Sequence, residues 1–240
     1  MAYAYQRTIF EQVAARERPP TISITLSTRH VGVTRRDTLR EGFDRAVREA
    51  REEGYPVLVR SSGGGATAAG PGTFGFSIIR PSEDVRRGIS ERYDEAASLV
   101  LGAFLRLGVD VVEIGEVKDE FCPGDHSIRA GSFENGMKLV GIAQRLTRRA
   151  TSVGGIVLVG GEAELARILV RVYAALDLPF RPGSVGSLHR TGSKAKVEEV
   201  VGALVEEAKL RYGATPVPLD KRTRALIQIR RNEYLVRPSV

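Results

Sequence analysis

Apolar residues recur along this chain with two different periods, and the switches between them lay out an ordered series of strands and helices. Thr21 to Leu26 alternates polar and apolar positions as a half-buried strand does. Asp37 then opens a stretch in which Leu39, Phe43, Ala46, Val47 and Ala50 recur at helical spacing until Gly54 stops it. Pro56 to Arg60 predicts a short buried strand running into Ser61-Ser62-Gly63-Gly64-Gly65, and Phe74 to Ile79 a second strand. Ser82 is placed to cap a long helix with the inward stripe Ile89, Tyr93, Ala96, Val100, Leu101, Phe104 and Leu105, ended by Gly108. Val109 to Ile114 reads as a strand, and Asn135-Gly136 as a tight hairpin turn into the strand that carries Lys138. Ile156 to Val159 makes one more strand before a helix from Glu162 to Leu176.

After Pro179 the pattern changes. A loop rich in proline, glycine and serine reaches Ser187, and Ser193 to Tyr212 and Leu219 to Tyr234 read as two helices. Strands joined by hairpins rather than by regular βαβ units predict an α+β fold: a mixed, largely antiparallel sheet with helices against it.

The 240 residues suffice for a conventional core, and a mean hydropathy of -0.14 suits a globular chain. No apolar run approaches the roughly 18 residues that span a bilayer, and the first residues lack an apolar signal core, so the expectation is a cytoplasmic protein without membrane partners. One cysteine cannot form an internal disulfide, and His30, His126 and His189 are too scattered for a zinc site, so no metal is expected. The net charge of +7 points to an acidic partner. Arginine and glutamate interleave in Arg40 to Glu53 and Arg86 to Glu95, as on solvated helix faces, and the basic tail offers only Tyr234 as an aromatic neighbour. Nucleic acid is therefore disfavoured.

Two segments carry chemistry. Cys122 lies in Phe121-Cys122-Pro123-Gly124-Asp125, and Lys138 follows sixteen positions later on a glycine-punctuated strand. A cationic lysine favours a thiolate and polarises a carbonyl, while a thiol can hold an acyl group as a thioester. Taken alone, a single cysteine reads as a small buried hydrophobe. Arg60-Ser61-Ser62-Gly63-Gly64-Gly65 fits a cradle in which backbone N–H groups approach a phosphate or carbonyl, or else a loose glycine turn. It lacks the ending of a P-loop, and it does not open a helix as a dinucleotide fingerprint does.

Arg60-x-Ser62-Gly63-Gly64, Cys122-Pro123-Gly124 and Lys138-x-x-Gly141-x-Ala143-Gln144-Arg145, in this order, resemble the biotin/lipoate protein ligase and lipoyl transferase family over about Ile22 to Leu188. The resemblance implies the catalytic-domain fold shared with biotin ligases and class II synthetases, placed at residues 1–190, with residues 191–240 a helical extension packed on it. It implies an acyl tunnel between the glycine block and the lysine strand, with Lys138 on the acyl carbonyl. Substrate contacts would come from Arg60, Ser62, Gly63, Gly64, Gly65, His126, Gly141, Ala143 and Gln144. Lipoate ligases of the family carry a histidine soon after the glycine block, where this chain reads Ala66-Thr67-Ala68-Ala69, whereas its cysteine-dependent transferases have a similar Cys-Pro-Gly loop. Asp125-His126-Ser127 and Gly75 depart from the family pattern, and His126 reads first as a plain substitution of shape and second as a candidate proton acceptor.

The implied activity is transfer of an octanoyl or lipoyl group through a Cys122 thioester to a lysine of a lipoyl-domain protein. The donor would be an acyl-carrier or lipoyl-carrier protein, and the acceptor a lipoyl domain of a 2-oxoacid dehydrogenase or a glycine cleavage H-like protein. No cofactor would be required. The alternatives are an ATP- and Mg-dependent ligase that uses the same Lys138, and a non-catalytic basic binding module.

Overall fold

The structure, a computed structural model, describes residues 2–236. A helix not expected from the sequence pattern comes first: α1, Ala2–Ala14, buries Ile9 and Val13, one turn apart, with Phe10 beside them. The strands β1 (Thr21–Leu26) and β2 (His30–Val33) follow, then α2 (Phe43–Glu52), β3 (Val57–Val59), β4 (Thr67–Ala69) and β5 (Thr73–Pro81). The long helix α3 (Ile89–Arg106) leads to β6 (Val112–Ile114), β7 (Ile128–Ala130), β8 (Met137–Leu146) and β9 (Ala150–Leu158). Three helices complete the order: α4 (Glu162–Ala175), α5 (Val197–Tyr212) and α6 (Lys221–Ile229).

The strands form two sheets. The larger runs β1-β5-β9-β8-β7-β6, with every neighbour antiparallel. The smaller runs β3-β2-β4, with β2 parallel to β3 and antiparallel to β4. The expected mixed and mostly antiparallel pairing is present, with its parallel part confined to the small sheet. One core packs α3 and α5 on the large sheet through Phe104, Val140, Val157 and Leu204, and a second packs α2 and α4 on the small sheet through Val47, Val57, Leu169 and Val172. The helix α1 covers the other face of β5, and α6 is tied to it where Gln12 Nε2 donates to Thr223 Oγ1 at 2.8 Å. Among the described residues no helix is long and apolar enough to cross a membrane.

Several boundaries differ from those expected. Asp37 does not open the helix; its carboxylate accepts from the Thr34 N–H and hydroxyl at 2.7 and 2.8 Å, closing a single turn, so α2 starts at Phe43 and Leu39 is 86% exposed. Ser82 does not cap α3, because its N–H donates to the Arg149 carbonyl and continues the pairing of β5 with β9. Gly88 precedes the helix instead. Asn135-Gly136 is not a two-residue turn: β7 ends at Ala130 and β8 begins at Met137, and within that connection the Gly136 N–H donates to the Ser132 carbonyl. Leu101 is half-buried and Leu105 is 62% exposed, so the stripe of α3 runs instead through Ala97, Val100, Ala103 and Phe104. The strand expected at Ile156 begins six residues earlier, at Ala150. Past α6, Tyr234 and Val236 pair with β3 rather than extending the helix, and residues 237–240 of the expected extension lie outside the described residues.

Candidate active site

Sixty-two positions separate Arg60 from Cys122, and the fold closes that gap. Arg60 leaves the end of β3, where its N–H donates to the Val33 carbonyl, and it turns back over the glycine block. Its Nη2 donates to Cys122 Sγ at 3.0 Å and to the Gly65 carbonyl at 2.6 Å, and its Nη1 donates to Ser62 Oγ at 3.2 Å. The Gly65 N–H donates to the same sulfur at 3.3 Å. Gly64 makes this approach possible, since with φ +102° a Cβ there would lie 2.4 Å from the sulfur. Burial alone would push the Cys122 thiol up, but Arg60, then Lys138 and the Gly65 N–H, bring it below an ordinary thiol.

Cys122 occupies the loop between β6 and β7 with φ +46°, a left-handed backbone that side chains other than glycine avoid. Its N–H donates to Tyr173 Oη at 2.7 Å, and that hydroxyl donates to the Ala66 carbonyl at 2.9 Å, so α4 bridges the cysteine loop and the glycine block. Lys138, on β8, approaches from inside. Its Nζ donates to Glu120 Oε1 at 2.8 Å, to the Phe121 carbonyl at 3.0 Å and to the Cys122 carbonyl at 2.9 Å. The ammonium therefore holds the backbone of the cysteine, while the sulfur faces Arg60 and Gly65.

A cleft opens in front of the sulfur. Its floor is laid by glycines, Gly75 on β5, Gly141 on β8 and Gly154 and Gly155 on β9, with Ala143 and Ile156, and Tyr3, Gln6 and Phe10 of α1 roof it. Ser61 and Ser62 line it near Cys122. The lining is not uniformly apolar, because Ser77, Ser152 and Arg145 share it, with the Arg145 guanidinium 4.2 Å from the ring of Phe10. Gln144 alternates to the other face of β8, where it accepts from Arg92 Nε at 2.9 Å and donates to the Ile89 carbonyl. His126 is stacked on Tyr93 with ring centroids 4.4 Å apart. Gly63 is exposed on the outer side of the glycine block. Sequence reasoning named Cys122, Lys138 and Arg60 but missed Glu120, Tyr173 and the α1 roof. An acid set between Val117 and Phe121 was the available signal for the first of these.

The chain matches the lipoyl protein ligase A/B catalytic domain over residues 1–209. It belongs to that family. Among curated relatives, it is 28% identical over 178 residues to a lipoyl-[GcvH]:protein N-lipoyltransferase of Listeria monocytogenes, covering 73% of this chain and 62% of the relative. An octanoyl-[GcvH]:protein N-octanoyltransferase of Geobacillus kaustophilus is 31% identical over 140 residues, 58% of this chain and 48% of the relative. The chain thus spans less than two thirds of either relative. Among solved structures, lipoate-protein ligase A bound with ATP superposes with a TM-score of 0.73 at 20% identity, covering 95% of this chain and 87% of that one. A bi-partite lipoate protein ligase from Thermoplasma acidophilum gives 0.67 at 18% identity, covering 95% and 86%. The fold of this family is the one that the motif blocks implied.

Proposed function

We propose that this protein is an acyltransferase of lipoate metabolism that moves an octanoyl or lipoyl group through a Cys122 thioester to a lysine of a lipoyl-domain protein. The carrying observation is the sulfur, held by a guanidinium and a backbone N–H at a cleft roofed by a helix and floored by glycines. The thiolate adds to the donor's acyl carbonyl, the new C–S bond forms, the bond from that carbonyl to the donor's own thiol sulfur or lysine nitrogen breaks, and the donor group leaves with a proton taken from solvent. The neutral amine of the acceptor lysine then adds to the thioester; the C–N bond forms, the C–S bond breaks, a proton passes to solvent and the thiolate returns. Lys138 and the N–H groups near Gly64 and Gly141 are the donors assigned to the developing oxyanion. Since Lys138 already carries three partners, it reaches that oxygen only by exchanging one of its two carbonyls.

In this reading no nucleotide is needed, because the acyl group arrives already joined to its carrier, as a thioester whose transfer to an amine is downhill or as a lysine amide exchanged for another lysine amide. The catalytic unit is assigned to residues 1–190 and an extension to residues 191–240, whose described part, 191–236, packs on it through Val200 and Leu204, and the site of action is the cytoplasm. The partners are acyl- or lipoyl-carrying proteins, including an H-like protein and the lipoyl domains of 2-oxoacid dehydrogenases; the relatives named for transfer involving GcvH support this choice. The second reading, an ATP-dependent ligase, is supported by the ATP bound to a solved protein of the same fold.

Intact-protein mass spectrometry after incubation with an octanoylated lipoyl domain separates the two. A hydroxylamine-labile adduct of about 126 Da on Cys122, formed without ATP, is the expected result. Full activity of Cys122→Ser with octanoate and ATP would overturn the transferase reading.

A further inference from the structure

The acid two residues before the nucleophile takes no part in the steps above, yet every oxygen it has is committed. Glu120 Oε1 accepts from Lys138 Nζ at 2.8 Å and from Ser127 Oγ at 2.6 Å, and Oε2 accepts from the Val117 N–H at 3.0 Å. Side-chain exposure is 1% for Lys138 and 0% for Glu120. A buried ion pair contributes little net stability by itself, so its reason is sought in what it holds. The two donors that Lys138 has left grip the carbonyls of Phe121 and Cys122. Between and beyond those carbonyls lies the φ +46° of Cys122, a backbone that persists only where its surroundings over-determine it.

We propose that Glu120 is a positioning residue of the transfer reaction: through Lys138 it fixes the left-handed turn that delivers Cys122 Sγ to Arg60 and the Gly65 N–H. The proposal rests on Cys122 as the nucleophile of the reading above. Without the carboxylate the ammonium has no buried counter-charge and shifts towards solvent, the two carbonyls lose their donor, and the turn relaxes. The sulfur then leaves its two donors. The sign of the effect separates this role from a purely electrostatic one. Through charge alone, removing an anion near the sulfur makes the thiolate easier to form and its alkylation faster, whereas a displaced turn makes alkylation slower.

Glu120→Gln keeps the shape and an acceptor for Val117 while removing the charge. Iodoacetamide alkylation of Cys122 across the neutral pH range, with single-turnover octanoyl transfer beside it, is expected to slow about 100-fold in this variant, with KM for the acyl-carrying domain unchanged. Ser127→Ala, which loosens Glu120 without altering charge, is expected to slow both about tenfold. The pair Glu120→Gln/Lys138→Met recovers the melting temperature but not the alkylation rate, and with Ser127→Ala it carries the test should Glu120→Gln fail to fold. Wild-type or faster alkylation in a folded Glu120→Gln or Ser127→Ala protein overturns the proposal, as does recovery of reactivity together with stability in the double variant. If the unaltered protein transfers no acyl group while alkylation still depends on Glu120, the acyltransfer reading falls and only the hold of Glu120 on the Cys122 turn stands.

Discussion

Arg60 and Cys122 already meet in the resting protein, with Nη2 donating to Sγ at 3.0 Å. Burial opposes the charge on the sulfur, Arg60 favours it most strongly, and Lys138 adds to that from behind. Because only the thiolate attacks, a lowered thiol places the inflection of the alkylation rate on the acid side of an ordinary thiol's, with more reactive species at neutral pH than in the unfolded chain. Arg60→Gln removes the nearest cation while burial stays, so its inflection is expected above that of the unaltered protein; stopped-flow alkylation at a series of pH values reads both. The block that contains Arg60 was legible in the sequence as a cradle. That its guanidinium turns onto the sulfur was not, since the contact is made between the end of a strand in one sheet and a loop flanking the other.

The elements explain what the sequence hid. Thr151-Ser152-Val153-Gly154-Gly155 sets only two β-branched residues among a serine and two glycines, which mask the strand pattern, so only the apolar end of β9 was visible. Its glycines are there for packing. A Cβ on Gly155 would meet the Gly141 carbonyl at 1.8 Å, so Gly155→Ala is expected to destabilise by about 1–3 kcal/mol or more, measured by denaturant unfolding. Gly75 differs: a Cβ there would meet Gln6 Nε2 at 3.5 Å and the Gly155 carbonyl at 3.7 Å, ordinary contacts at the cleft wall. Gly75→Ala is therefore expected to fold with unchanged stability and to narrow the groove, and under the proposed reading a series of acyl donors of different chain length is expected to show the optimum moved to shorter chains. The helix Tyr173 belongs to was predicted correctly, but the bridge it makes was not, because a lone tyrosine on an apolar stripe looks like core. Tyr173→Phe leaves the half-buried Cys122 N–H without its acceptor, an expected loss of about 1–3 kcal/mol in thermal unfolding together with slower alkylation.

Over the whole molecule the charge of +7 is unevenly spent. Arg7, Arg80, Arg171 and Arg211 are paired with glutamates on their own surface, so they present little field to a partner. Arg35 and Arg36 are exposed just after β2, the strand whose Val33 carbonyl accepts from the Arg60 N–H, so they lie two and three positions along the chain from a residue bonded to Arg60. If an acidic carrier domain presents its acyl-lysine there, these arginines steer the encounter and do not touch the chemistry. Raising salt across the physiological range, where the screening length is about 8 Å, then increases KM for the carrier domain and leaves the single-turnover rate at saturation unchanged. Arg35→Glu/Arg36→Glu should raise KM at low salt, flatten its salt dependence and leave Cys122 alkylation as it was. A KM indifferent to both salt and these substitutions would place the docking face elsewhere on the surface.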